Sequence, residues 1–452
     1  MPVRLVDSLA STEALAEVFS DQSILQVMLD FEVALARAEA RAGVIPQVAA
    51  EAIAAAANPT AFDLAAFSRD TLRAGTYGVP LAKMLTEIVK AKDSSAVSFV
   101  HYGATSQDVS DTALVLLLKR SQPLIEADLV LAEQALRNLS EEHARTTMVG
   151  RTLMQSAPPV TMGLKAAGWL AAIRRGRKQF SEAFAQALVV QFGGAVGTLA
   201  ALGEKGLTVN RELASELGLA CPDAPWHAHR DRLAALVCAC GVLTGSLGKI
   251  ARDVSLLMQS EIGEVAEPES EGRGGSSTMP QKRNPTGCAV TLAAANRVPG
   301  LVASFLSGMV QENERGVGGW HAEWPTIAAV MQATGVAAAS IAEIAQGIHI
   351  DSVRMKENLA ATCGAIYAEK ALFLLSAKVG KDRARKLVEQ ATCDAVANHR
   401  HLKDVLREMP EVTGHLDPEA IDQLEVAEEY LGSADTFRDK QLKAAVPVRK
   451  ED

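Results

Sequence analysis

Apolar residues recur at intervals of three and four almost throughout this chain, and runs that alternate apolar and polar positions are hard to find. The clearest pattern covers residues 230 to about 265, with no proline. Leu233, Leu236, Cys240, Leu243, Leu247, Ile250, Val254 and Leu257 keep the rhythm of an a/d seam. That spacing predicts one helix of roughly 50 Å lying along partners in a bundle. Stretches 158–188, 285–311 and 325–348 read alike. Each opens at or beside a proline, where the missing N–H costs a helix nothing.

Three regions follow. Residues 1–111 hold shorter helices broken by Gly43, Pro46, Pro59, Gly75 and Pro80, residues 112–350 hold the long helices, and residues 351–452 hold shorter helices with a charged tail, PVRKED. The expected fold class is all-α, three domains around a long central helix bundle. Long helices need wide apolar faces covered, so a homo-oligomeric bundle is expected, with loops at helix ends forming sites between subunits.

Composition narrows the function. The 452 residues are 48% hydrophobic and 4% aromatic, with a formal charge of −9. With no lysine- or arginine-rich block, an acidic chain gives no support for a nucleic-acid or anionic-membrane partner. A bound anion must therefore meet a local cationic site. The N-terminus lacks a basic region followed by an apolar run, and no uninterrupted apolar stretch reaches some 18 residues. A cytoplasmic protein without a membrane span is expected. Six scattered cysteines fit buried thiols in a reducing compartment.

Four segments carry candidate chemistry. GGSSTMPQKRNP, 274–285, gathers glycines, hydroxyls and the cations Lys282 and Arg283 between two long helices, after a charged, glycine-rich approach. A mobile loop of this kind closes over a ligand, and a serine there needs nearby cations or N–H groups to act as a base. HYGATSQDVSDT, 101–112, sets Thr105, Ser106 and Gln107 before an apolar helix, a place for a carboxylate or simply a helix cap. GRTLMQSAPP, 150–159, offers the Arg151 fork with Thr152 and Gln155, or an arginine paired to an acidic neighbour. QENERGVGGWHAEW, 311–324, places Arg315 at a glycine-rich break before Trp320, His321 and Trp324, as a pocket rim or a corner between helices. His227 and His229, two apart in WHAHRD, would diverge on a helix and lack a third clustered ligand, so no metal is assigned to them.

Together these segments resemble the fumarase/aspartase superfamily, which includes adenylosuccinate and argininosuccinate lyases. GSSTMPQKRNP at 275–285 is similar to its signature loop, and HYGATSQD and GRT resemble its other two shared regions, in the same order over most of the chain. The resemblance implies an all-helical homotetramer, sites assembled from three subunits, and neither a metal nor a cofactor. It implies that Ser276 exchanges a proton at carbon while Lys282 and Asn284 hold a carboxylate. It also points to His101, Thr105, Ser106, Gln107, Arg151, Thr152, Gln155, Ser277, Arg315 and His321 as contacts to a small tricarboxylate. Within the superfamily, VHYGATSQDVSDTA, GLKAAGWLAA, QFGGAVGTLAALG and ERGVGGWHAEW are similar to the lactone-forming muconate cycloisomerase branch.

One position departs from the lyases. They carry a histidine after GRT as general acid to the leaving group, whereas this chain has Leu153; lactonising relatives tend toward an aromatic there and a histidine where Ser156 stands. An amine or alkoxide needs a proton to leave, but a carboxylate, with a conjugate acid of pKa near ~4, does not. Closing a lactone is the reverse of expelling a carboxylate, so Leu153 suits it. The competing expectations are elimination of nitrite or another good leaving group from a substituted succinate, adenylosuccinate-type cleavage, closure of a variant muconate, and a structural role without catalysis.

Overall fold

A computed structural model of the chain describes residues 5–269, 274–275, 278–279 and 282–443. Six helices come first: α1 (Glu13–Val18), α2 (Asp21–Arg41), α3 (Gln47–Ala56), α4 (Leu64–Ala74), α5 (Gly78–Lys92) and α6 (Ser106–Glu142). A hairpin, β1 (Thr147–Thr152) and β2 (Gln155–Thr161), leads into α7 (Met162–Ala187), α8 (Gly206–Leu217) and α9 (Asp231–Leu257). After β3 (Val265–Ala266) come α10 (Thr286–Ser307), α11 (Gly319–Gly347), β4 (His349–Ile350) and α12 (Ser352–Ala360). Short helices α13 (Ala368–Val379), α14 (Lys381–Ala397), α15 (Leu402–Glu408), α16 (Pro410–Thr413), α17 (Pro418–Asp422) and α18 (Ala434–Lys443) complete the chain. The fold is all-α; the described strands form only two antiparallel pairs, β1–β2 and β3–β4.

Local chemistry sets the ends. Ser20 caps α2 by accepting from the Ser23 N–H, Asp63 caps α4, and Gly75 closes α4 at φ +67°, where a side chain would be strained. All eight seam positions predicted on α9 are at most 4% exposed, as a bundle helix requires.

Several boundaries differ from the hydrophobic pattern. Helix α9 ends at Leu257, short of the expected 265, because the chain turns at Gly263 (φ +62°) and Val265 pairs with Ile350 in β3–β4, and α10 ends at Ser307 and not at 311. Helix α7 starts at Met162 and not at 158: Ala157 and Pro158 each precede a proline, which pushes both into extended backbone and into β2. Helix α11 starts at Gly319 and carries Pro325 inside it, losing one backbone bond. Helix α6 runs for 37 residues through Pro123, far past the apolar run TALVLLLK that predicts its start.

The chain divides into two compact units. The first comprises residues 1–129, 175–248 and 290–340; in it α2 packs on α3 and α8 and buries Leu25, Met28, Phe31 and Leu35. The second comprises residues 130–174, 249–289 and 341–452; there the hairpin lies against α12, and Leu375, Leu402, Leu406 and Leu424 centre the core of the C-terminal helices.

Uninterrupted apolar runs are too strict a measure for the longest helices. By length and composition α9, α10 and α11 are each apolar enough to cross a membrane. Helices α9 and α11 bury 56% and 61% of their most apolar windows inside the chain, whereas α10 buries 22%. The six cysteines are free; Cys240 and Cys288 are buried but Cys221 and Cys393 are exposed, which corrects the expectation of uniformly buried thiols.

Candidate functional site

In the first unit the segments 101–112 and 311–324 meet. Arg315 donates from Nη1 to Thr105 Oγ1 at 2.7 Å, from Nη2 to Ser106 Oγ at 3.1 Å and from Nε to Gln107 Oε1 at 3.3 Å. All three acceptors are neutral, so among the described residues no carboxylate cancels this guanidinium's charge. The hydroxyls and amide expected to receive a carboxylate therefore orient a cation. Ser106 is tightly seated: a Cβ on Gly78, at the start of α5, would lie 2.5 Å from its Cα, so only glycine lets the two backbones approach. His101, at φ +56°, turns its Nδ1 to Glu32 Oε1 at 2.6 Å.

Below this cluster lies a buried polar network whose central members, Asp111, Arg230 and Glu323, no motif singles out. Asp108 accepts from the N–H groups of Thr105, Gly193 and Gly194 and pairs with His227 Nε2 at 2.7 Å. Arg230, wholly buried, bridges two carboxylates: Asp111, at 2.8 and 3.0 Å, and Glu323, through Nε and Nη2. Trp320 Nε1 donates to Asp111 at 2.9 Å and Gln311 Nε2 to Glu323 at 3.0 Å. One guanidinium between two buried acids leaves an excess negative charge, and burial pushes Glu323 up to about 7 despite Arg230. The network ties the start of α6 to the start of α11 and so aligns Thr105–Gln107 with Arg315. His227 thus serves Asp108, and among the described residues no cluster of metal-ligating side chains occurs. His321 stays exposed; its Nδ1 accepts from the Gly318 N–H at 3.3 Å and its ring meets Trp320 edge-on.

The second unit holds the other two segments. The hairpin pairs Thr152 with Gln155 at its end, and both are exposed, as is Ser156. Leu153 and Met154 form the turn with φ of +48° and +65°, conformations that side chains disfavour, and they stand 96% and 72% exposed. Gly150 is required because a Cβ there would lie 2.3 Å from the Pro158 carbonyl oxygen. Arg151 folds back along its own strand, donating to Val149 O and gripping buried Glu264 with both Nη atoms at 3.0 and 2.7 Å. Asn358 Nδ2 donates to the same carboxylate at 2.8 Å. The fork of Arg151 is thus engaged inside the unit, the arrangement weighed as the alternative to anion binding.

Around the signature segment, Ser276 and Ser277 lie outside the described residues. The backbone beside them is anchored: the Asn284 N–H donates to the Gly274 carbonyl, and Glu267 caps α10 by accepting from Gly287 and Cys288 N–H at 3.0 and 2.8 Å. The adjacent cations differ. Arg283 donates to the Glu267 carbonyl and pairs with Glu269, whereas the exposed Lys282 side chain has no ion-pair partner among the described residues. Asn284 is half-buried, its amide 3.5 Å from the Gly275 carbonyl.

Residues 9–300 match the family described as lyase, and residues 364–440 match that described as adenylosuccinate lyase C-terminus. A 3-carboxy-cis,cis-muconate cycloisomerase of Bradyrhizobium diazoefficiens is 47% identical over 438 residues, 97% of each chain. The crystal structure of a 3-carboxy-cis,cis-muconate lactonizing enzyme from Pseudomonas putida superimposes with a TM-score of 0.92 at 44% identity, over 97% of this chain and 98% of that one. A nitrosuccinate lyase of Streptomyces davaonensis is 40% identical over 441 residues, 95% of this chain and 93% of its own.

Proposed function

The chain belongs to the lyase family, and on that premise we propose that it is an intramolecular lyase closing 3-carboxy-cis,cis-muconate to 4-carboxymuconolactone. The carrying observation is the similarity to cycloisomerases over nearly the whole chain set beside Leu153, which by itself would suit the loss of nitrite equally. Where the family's eliminating members carry a histidine, this chain presents an exposed leucine on a strained turn, a side chain with no proton to give. A carboxylate that attacks or departs ionised needs none.

The step balances as an isomerisation with uptake of one proton. A carboxylate oxygen of the substrate forms a C–O bond to a carbon of the conjugated diene. The π electrons move toward the neighbouring carbon and are shared with its carboxyl group as an aci-carboxylate. Lys282, without an ion-pair partner among the described residues, and Asn284 stabilise that charge. Ser276 delivers the proton to carbon, and solvent replaces it. Arg315, whose partners among the described residues are neutral oxygens, and His101 take further carboxylates of the tricarboxylate. Thr105, Ser106 and Gln107 orient Arg315, while Thr152, Gln155, Ser277 and His321 border the substrate. Arg151 acts through Glu264, fixing the hairpin that carries Leu153.

Self-assembly into a homotetramer with sites shared between subunits completes this reading. It is supported by the apolar face of α10, of which the single chain covers little. We place the enzyme in the cytoplasm, in keeping with six free cysteines.

The test is a panel of 3-carboxy-cis,cis-muconate, nitrosuccinate and adenylosuccinate. Loss of the diene's ultraviolet band, with no fumarate from the other two, is expected. Replacing Ser276→Ala should lower kcat on the muconate by about a thousandfold or more. Fumarate released from nitrosuccinate, with the muconate untouched, would favour the eliminating alternative.

A further inference from the structure

Glu32 lies midway along α2, 1% exposed, and nothing in the chemistry above uses it. Its Oε1 meets His101 Nδ1 at 2.6 Å, and its Oε2 has no hydrogen-bond partner among the described residues. His101 is itself confined: its backbone is left-handed, its side chain is 16% exposed, and its second ring nitrogen, Nε2, makes no hydrogen bond among the described residues. The loop that begins at His101 is the one whose hydroxyls grip Arg315.

The charged groups facing this ring come from two helices. From α2 comes Glu32; Glu39, two turns further on, is coupled to Glu32 and not to the ring. From α6 comes Asp108, whose oxygens are occupied by His227 and three backbone N–H groups. Glu39 is fully buried with both oxygens unpartnered among the described residues, and burial, then the charge of Glu32, pushes it up to about 9. It is therefore neutral at pH 7 and does not compete with Glu32 for the ring. Burial alone would lower His101, but the charge and hydrogen bond of Glu32 and the charge of Asp108 outweigh it and raise the ring above its ordinary value. A histidine that gives its Nδ1–H to a carboxylate carries a second proton, on Nε2, only while the ring is charged, and that N–H is then the one open to a ligand.

We propose that Glu32 is a positioning residue that, through Nδ1, holds His101 as a cation whose Nε2–H binds a carboxylate of the substrate on the loop gripped by Arg315. The proposal deepens the lactonising reading of this site and rests on it.

The test compares kcat/KM for 3-carboxy-cis,cis-muconate from pH 6 to 9 in the wild-type chain, Glu32→Gln, His101→Asn and the double variant. The wild type should lose kcat/KM on the alkaline side as the ring loses its proton. Glu32→Gln should move that limb down by about one pH unit and raise KM about tenfold at pH 7.5, with kcat within about threefold. In the double variant Glu32→Gln should add nothing to His101→Asn, because it acts through the ring. An alkaline limb that stays in place in Glu32→Gln, or an effect added in full on top of His101→Asn, would overturn the proposal. So would a His101→Asn variant with wild-type kcat/KM, a result that does not depend on Glu32→Gln folding. If the wild type turns over none of this substrate, the assigned reaction fails instead. Calorimetric titration of the same proteins with tricarballylate, which needs no turnover, then reads the same pH shift in affinity.

Discussion

Glu39 shows how one buried side chain sets a pH dependence. Its folded pKa of about 9 lies above the ordinary value of 4.5 because burial, then Glu32, penalises the charged form. Its contribution to stability is therefore whole below about pH 4.5 and is lost as pH rises through about 9. Replacing Glu39→Met, close in shape and without a charge, should raise the melting temperature at pH 8.5 more than at pH 6 and flatten its fall between them. A uniform drop at both pH values would show that the carboxyl is needed for packing instead. Few of these residue-scale facts were legible beforehand. Thr105, Ser106, Gln107 and Arg315 stood out as motifs, but that one grips the others depends on backbone distant in sequence. Glu32, Asp111, Arg230 and Glu323 were passed over because a charged residue in a helical pattern reads as solvated surface, and only packing reveals that these four are buried. His227, set aside as a metal ligand, does have a role, as partner to Asp108.

At the scale of elements, the Asp111–Arg230–Glu323 bridge joins the starts of α6 and α11 to the segment before α9. Removing its centre leaves two buried carboxylates without a counter-charge. Arg230→Met should cost about 3–5 kcal/mol in chemical denaturation, and adding Asp111→Asn with Glu323→Gln should recover much of that loss. A single variant as stable as the wild type would mean that the bridge does not hold the two helix starts together. The hairpin was the element least legible in the sequence. Its strands carry Gly150, Pro158 and Pro159, and its turn uses Leu153 and Met154 where asparagine or glycine would ordinarily signal a reversal. Helix α9 was the most legible, because its eight seam residues are apolar and unbroken by proline.

For the whole molecule, the all-α class followed from periodicity, since a chain with scarcely any alternating runs has few strands to build. What periodicity does not specify is how far helices extend through prolines, as α6 and α11 do through Pro123 and Pro325. The single chain leaves a large apolar surface on α10, which the proposed homotetramer would cover. The account stands on one reaction, in which a carboxylate closes on a diene and a solvent-derived proton ends on carbon. The most direct measurement is proton NMR of the product formed from 3-carboxy-cis,cis-muconate in deuterium oxide. The expected result is 4-carboxymuconolactone carrying one deuterium, at a single position beside a carboxyl group. Unconsumed substrate, or lactone with no deuterium at that carbon, would contradict it.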